Sequence, residues 1–298
     1  MSLRTPRRRL NGVLLIDKPA GITSNACLGI VKRLFNADKA GHTGTLDPFA
    51  TGLLPVALGE AAKFSQGLLE ADKTYQGVMR LGVTTATGDP EGEVLATRPV
   101  EVSDEDVRVA LRQFVGVIQQ VPPMHSALKR GGRPLYAYAR AGIEVEREAR
   151  TVRIDALEWI GRDGDAVSFR VVCSKGTYVR TLAEDIGARL GCGAHLAALR
   201  REQVGPLGLG GAVSLAHIES LDPAARDACV LPVDSLVQPL PRLVLAADLA
   251  RRLCLGQRIP VDAADVAAAR AYAEDGCFLG VVRIAGGVAH PTRLIGGA

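Results

Sequence analysis

Between Gly41 and Leu54 the chain reads Gly-His-Thr-Gly-Thr-Leu-Asp-Pro-Phe-Ala-Thr-Gly-Leu-Leu, with three glycines, one proline and a single carboxylate. Such a run has no helical or strand periodicity, and it leads straight into an apolar stretch. Its glycines permit a tight backbone path and close approach by a ligand. A residue that precedes proline is biased toward extended backbone, so Asp47 is held off any helix and placed in a loop. An Asx turn would satisfy a lone Asp-Pro pair equally well, and the residues by themselves leave both readings open.

The surrounding pattern is that of mixed α and β structure. Leu10 to Asp17 reads as a strand that turns at Lys18-Pro19-Ala20-Gly21. Ser24 is a candidate N-cap for a helix to about Phe35, with Cys27, Val31, Leu34 and Phe35 on one face. A short helix is expected near Glu60 to Leu69, and a strand from Thr74 to Val83 with Tyr75, Gly77, Met79 and Leu81 on one side. Ser103 and Asp106 form a capping signature for a helix that buries Val107, Leu111 and Phe114. The alternation of Val167, Phe169, Val171 and Cys173 gives a strand from Ala166 to Ser174. It runs into Gly176-Thr177-Tyr178-Val179-Arg180, after which Thr181 and Glu184 are expected to cap a helix that ends at Gly191. This junction sets Tyr178 and Arg180 at the end of an element, where functional side chains often sit.

Charge is uneven along the chain. The formal net charge is +4, and Val121 to Arg153 alone holds seven Lys or Arg against three Glu, an excess as large as that of the whole protein. Beside Tyr136 and Tyr138, this segment suits a phosphate-lined partner, or serves as a solvated surface insertion. Prolines 232, 239 and 241 then mark a composition shift. Two short strands, Cys277 to Ile284 and Val288 to Ile295, joined at Gly286-Gly287, indicate a small β-rich domain from about Pro239 onward. No apolar stretch has the length of a membrane span, and the arginines at 7–9 precede too short an apolar run for a secretory signal. The six cysteines are scattered without a C-x-x-C pair, which points to a reducing, cytoplasmic setting. The sequence contains no P-loop, no G-x-G-x-x-G after a strand, no H-E-x-x-H and no G-x-S-x-G. The five histidines are far apart. No metal or cofactor is implied, so the chemistry is expected to run on side chains.

Set beside these residues, Gly41 to Leu54 closely resembles the signature loop of the pseudouridine synthase family typified by tRNA pseudouridine synthase B. Asp17-Lys18-Pro19-Ala20-Gly21-Ile22-Thr23-Ser24 is similar to the family's K-P-x-G-x-T-S element, and Lys73-Thr74-Tyr75 to its K-x-Y strand. Ser174 to Leu182 resembles its third block. Gly193-Ala194-His195-Leu196, with Leu199-Arg200-Arg201, resembles its fourth. Pro122-Pro123-Met124 and Ser126 to Lys129 match its basic insertion, with His125 where the family more often has Tyr. The final sixty residues are similar to an RNA-binding PUA domain.

This resemblance implies an α+β fold: a mixed, mostly antiparallel sheet with flanking helices in residues 1–238, an RNA-binding insertion at about 121–153, and a PUA-like domain in 239–298. It implies a cofactor-free isomerisation of uridine to pseudouridine in the T arm of tRNA, at the uridine conventionally numbered 55. Asp47 would be the catalytic carboxylate, attacking C1′ or taking the C2′ proton, and both routes stay open. Arg180 would keep that carboxylate ionised. Tyr75 would stack on the flipped base, Tyr178 and Leu199 would line its pocket, His42 would help extrude it, and Lys18 would shape the far wall or meet a phosphate. Arg200 and Arg201 are expected as further phosphate contacts. The expected protein is a cytoplasmic monomer without an obligate protein partner. A guide-dependent rRNA pseudouridine synthase and a non-catalytic tRNA-folding chaperone are the alternatives.

Overall fold

The computed structural model describes residues 6–296; residues 1–5 and 297–298, the outer ends of the two expected domains, lie outside the described residues. The first half of the chain lays down β1 (Gly12–Lys18), α1 (Ser24–Leu34), β2 (Ala40–His42) and β3 (Thr51–Leu58). After a 3₁₀ turn at Gly59–Phe64 follow α2 (Gln66–Glu70), β4 (Lys73–Leu81), the hairpin of β5 (Val83–Thr85) and β6 (Val94–Thr97), α3 (Asp104–Gln113) and β7 (Gly116–Gln120). The basic segment carries a small hairpin, β8 (Lys129–Arg130) and β9 (Arg133–Pro134), and a single helical turn, α4 (Leu135–Ala139). Beyond it come β10 (Arg150–Asp163), β11 (Ala166–Cys173), α5 (Val179–Arg189), β12 (Ala194–Val204), β13 (Leu207–Gly208), β14 (Val213–Ser214), α6 (Leu215–Ser220) and α7 (Pro223–Ala228).

These strands form one sheet in the order β14-β1-β3-β12-β4-β11-β10-β7, with β13 beside β12 and β2 beside β3. The β1–β14 and β3–β12 pairs are parallel and the others antiparallel, so the sheet is mixed and mostly antiparallel as expected. Side chains alternate across it. Leu14 and Ile16 of β1, Leu54 and Val56 of β3, and Met79 and Leu81 of β4 face α1, α3, α5 and α6. Val13, Leu15, Leu53 and Ala57 face the other way, where Phe64, Leu68, Leu236, Phe278 and Val281 cover them.

The last sixty residues build a separate five-stranded sheet from β15 (Arg242–Leu245), α8 (Ala247–Cys254), β16 (Ile259–Pro260), β17 (Val266–Ala273), β18 (Phe278–Ala285) and β19 (Val288–Leu294), in the order β15-β17-β18-β19-β16. The β18–β19 hairpin turns at Gly286 and Gly287, both with positive φ, as their sequence demands. Phe278 tilts against Tyr272 of its own sheet and Phe64 of the 3₁₀ turn at 5.4 Å from each, so this sheet packs on the turn that follows β3 by aromatic contact.

Local structure departs from the sequence reading at three places. Thr23, not Ser24, caps α1: its side chain accepts from Ala26 N at 3.0 Å, while the Ser24 hydroxyl is engaged by Leu46. The α5 helix starts at Val179 with Tyr178 as N-cap, so Thr181 and Glu184 lie inside it and form no capping box. The expected helix at 60–69 is split into the 3₁₀ turn and α2. The Ser103–Asp106 capping box is present, with Asp106 Oδ2 accepting from Ser103 N at 2.8 Å.

Candidate active site

Asp47 sits in the loop between β2 and β3, and that loop is fixed from four sides. Ser24 grips the residue before Asp47, its hydroxyl accepting from Leu46 N at 2.8 Å and donating to Leu46 O at 3.0 Å. The residue after Asp47 is held too, since Pro48 O accepts from Gly21 N at 2.9 Å. Lys18 reaches the same loop from β1. It is fully buried, and its ammonium donates to Pro19 O, Ile22 O and Pro48 O at 2.8, 2.9 and 3.3 Å. An ammonium has three donors. None is left for a phosphate, and the expectation of a phosphate contact there gives way to a brace beneath the loop.

Arg201 is the second brace and a second correction. It is 1% exposed, and its guanidinium donates to Leu53 O at 2.7 Å, Gly44 O at 3.1 Å and Thr45 O at 3.5 Å. An arginine so placed cannot meet a phosphate on the surface; it ties β12 to the carbonyls on both flanks of Asp47. Gly52 permits this: its φ is +102°, and a Cβ there would lie 2.3 Å from Arg201 O. Arg200 turns to the opposite face and pairs with Asp17 at 2.7 Å. Replacing Arg201 by Met is expected to destabilise the fold by about 3 kcal/mol, because buried carbonyls lose their donors. Thermal or urea unfolding checks it, and a loss within experimental error of zero contradicts this placement.

Arg180, in the first turn of α5, is 4% exposed and meets Asp47 through Nε at 2.9 Å. The same guanidinium donates to Thr87 O at 2.9 Å and His125 O at 2.7 Å, and its Nη1 lies 3.5 Å from Asp89 Oδ2. Planar donors pointing in several directions suit arginine and not lysine. Burial pushes the Asp47 carboxyl above its usual range, Arg180 opposes that, and the like charge of Asp89 adds to it. About a third of the Asp47 side chain remains exposed, so the carboxylate is held by protein on one side and open on the other.

Tyr75 and Leu199 lie on the helix-facing side of the sheet, on β4 and β12. Leu199 pairs with Gly77 and Tyr75 with Arg201, and both belong to the apolar cluster that includes Leu46, Phe49 and Ala50. Burial raises the Tyr75 hydroxyl above its usual range, opposed by the neighbouring Arg201 charge. Tyr178 is placed by Gln120, whose side chain accepts from Tyr178 N at 2.8 Å and donates to Tyr178 O at 3.1 Å. Burial likewise raises the Tyr178 hydroxyl. His42, on β2, places Nε2 3.3 Å from Asn25 Oδ1, and its Nδ1 is buried without a partner. Burial, with Arg201 second, lowers its pKa. The loop thus brings Asp47, Arg180, Tyr75, Tyr178 and Leu199 to one side of the sheet, with Lys18 beneath.

The basic segment roots at this site. Its His125 contributes a backbone carbonyl to Arg180, so the side chain at that position does not matter to the contact. Lys129, Arg130, Arg133, Arg140 and Arg150 are exposed. Arg133 and Arg140 lie over the rings of Tyr138 and Tyr136 at 4.7 and 5.6 Å. The strand β10 already begins at Arg150, so the last four residues of the expected insertion, 150–153, lie in that strand.

Comparison with known proteins decides what this arrangement is. A family model described as the TruB family pseudouridylate synthase N-terminal domain matches residues 32–179. Two C-terminal models follow, described as tRNA pseudouridylate synthase B C-terminal domain over 180–238 and pseudouridine synthase II TruB, C-terminal, over 241–295. A curated protein of Ralstonia nicotianae named tRNA pseudouridine synthase B is 56% identical over 98% of this chain and 96% of its own. One of the same name from Burkholderia mallei is 57% identical with the same coverage. The chain belongs to the TruB family of pseudouridylate synthases.

This TruB-family chain is accordingly an isomerase acting on uridine. Its fold matches a chain in the crystal structure of a Cbf5-Nop10-Gar1 complex, with a TM-score of 0.69 at 27% identity over 91% of this chain and 78% of that one. It also matches one in an archaeal box H/ACA sRNP Nop10-Cbf5 complex, with a TM-score of 0.71 at 24% identity. The C-terminal sheet agrees with the expected PUA-like domain. Two residues that hold Arg180 and the Asp47 loop show no sign of that contact in sequence. Asp89 has no local signature and meets Arg180 only where the β5–β6 turn folds against α5. Ser24 reads as a cap, and its hold on Leu46 is visible only in the fold.

Proposed function

We propose that the chain isomerises the T-loop uridine of tRNA, with Asp47 as the catalytic carboxylate and Arg180 as the cation that keeps it ionised. The observation that carries this reading is the 2.9 Å ion pair between a buried guanidinium and a half-open carboxylate in a braced loop. The full-length similarity to proteins named tRNA pseudouridine synthase B supports the substrate class. Tyr75 stacks on the extruded base, Tyr178 and Leu199 close the pocket, and His42 takes up space beside the strand the base leaves. Lys18 acts at one remove, by fixing Pro48. In this reading residues 1–238 form the catalytic domain, 121–153 the RNA-binding insertion and 239–298 the PUA-like domain. The enzyme works as a cytoplasmic monomer with no obligate protein partner. The guide-dependent alternative draws only on fold neighbours at 23–27% identity.

Extruding a stacked base costs on the order of a few kcal/mol, which phosphate contacts by the insertion offset. Arg130 and Arg133 donate to the carbonyls of Glu146 and Ala137, which leaves their charge uncompensated. Binding is therefore expected to weaken about tenfold or more between roughly 50 and 200 mM salt, and a slope below about two phosphates would refute the insertion's role. The functional reading itself is tested on an unmodified tRNA transcript, with pseudouridine located by carbodiimide adducts and primer extension. A single stop in the T loop supports it; a stop elsewhere in the tRNA, or none, overturns it.

A further inference from the structure

Arg180 and Glu184 stand one turn apart on α5 and face the same short segment, Thr87 to Asp89. The guanidinium takes the two ends of that segment, Thr87 O at 2.9 Å and the Asp89 carboxylate at 3.5 Å. The Glu184 carboxylate takes the middle. Gly88 has φ +70°, and a Cβ built on it would lie 2.7 Å from Glu184 Cδ and 2.8 and 2.9 Å from its two oxygens. Glycine is thus required twice over, by the backbone and by the acid pressed against it. From behind, Leu196 N donates to Gly88 O at 2.9 Å, and His195 Nδ1 lies 2.9 Å from Val83 O, so β12 closes the segment in.

We propose that Glu184 is a positioning residue for Arg180, holding Thr87–Asp89 against the guanidinium and setting how much of its charge reaches Asp47. This rests on the catalytic reading of Asp47 and Arg180. The charged groups acting on Glu184 are Arg180 and Asp185 of its own helix and Asp89 of the facing segment. Burial, above all, raises its carboxyl, which Arg180 opposes and the two acids reinforce. As an anion Glu184 competes with Asp47 for Arg180. Neutralising it leaves more of the positive field at Asp47, favours the Asp47 anion, and moves the acid limb of the rate to lower pH.

The test compares Glu184→Gln and Glu184→Ala with wild type in single-turnover assays across pH, with tRNA affinity measured in parallel. Glu184→Gln keeps the volume, and its acid limb is expected to fall by about half a pH unit. Glu184→Ala also frees the segment and is expected to lower the maximal rate about tenfold, with tRNA affinity unchanged within about twofold. A residue that merely filled space would leave the Gln profile on that of wild type. That result overturns the proposal, as does an Ala variant with the wild-type rate. If the Ala variant does not fold, the Gln variant alone decides. Carbon-13 titration of the Asp47 carboxyl reads the same downward shift without catalysis. A wild-type protein that forms no pseudouridine therefore counts against the functional reading and leaves this test intact; an unmoved Asp47 titration counts against this inference.

Discussion

Asp47→Asn is expected to lower pseudouridine formation by roughly 10⁴-fold or more while the protein still folds and binds tRNA. The change is isosteric, so the clamps of Ser24 on Leu46, of Gly21 and Lys18 on Pro48, and of Arg201 on Gly44 and Thr45 stay in place. What disappears is the anion, and either route open to it, attack at C1′ or removal of the C2′ proton, requires that anion. In the wild type the requirement shows as an acid limb. Burial raises the Asp47 carboxyl, with Arg180 opposing, so activity is expected to fall as pH drops through a value above the ordinary carboxylate range. Single-turnover nucleoside analysis measures the rate, and filter binding the affinity. A variant that also lost tRNA affinity by orders of magnitude would show that Asp47 serves binding.

Arg180→Lys carries the second large effect, a loss of about 10²- to 10³-fold in kcat/KM with the positive charge retained. One ammonium cannot reproduce the contacts the guanidinium makes with Asp47, Thr87 O, His125 O and Asp89. The Asp47 carboxylate is then less well compensated and faces Asp89 across a poorer cation. Its acid limb is expected to move to higher pH, opposite in sign to the shift from Glu184→Gln. A Lys variant with a wild-type pH profile would mean that Arg180 serves only to hold the fold.

The Asp47 loop was legible because its signal is local. Glycines, a proline and one acid lie together in sequence, and the Tyr178–Arg180 junction is marked by the strand pattern before it. The braces were not legible, because sheet register makes them. Arg201 becomes buried only when β12 lies parallel to β3 with Arg201 opposite Gly52, and from sequence it reads as one of two surface arginines. Lys18 ends a strand and reads as exposed until the loop closes over it. Asp89 and Glu184 are ordinary acids until the β5–β6 turn folds onto α5. The long strand β10 was hidden because Arg150 and Arg153 merge into the charge of the insertion before it, and a register shift between Ile154 and Ala156 breaks its alternation.

Central to this account is one carboxylate that isomerises uridine in tRNA. Forming a C1′–C5 bond displaces the hydrogen at C5, so a tRNA transcript carrying tritium at uridine C5 reports the reaction directly. Wild-type protein is expected to release tritium equivalent to a single uridine per tRNA, and Asp47→Asn none over the same time with the tRNA still bound. Release by Asp47→Asn at the wild-type rate would contradict the account.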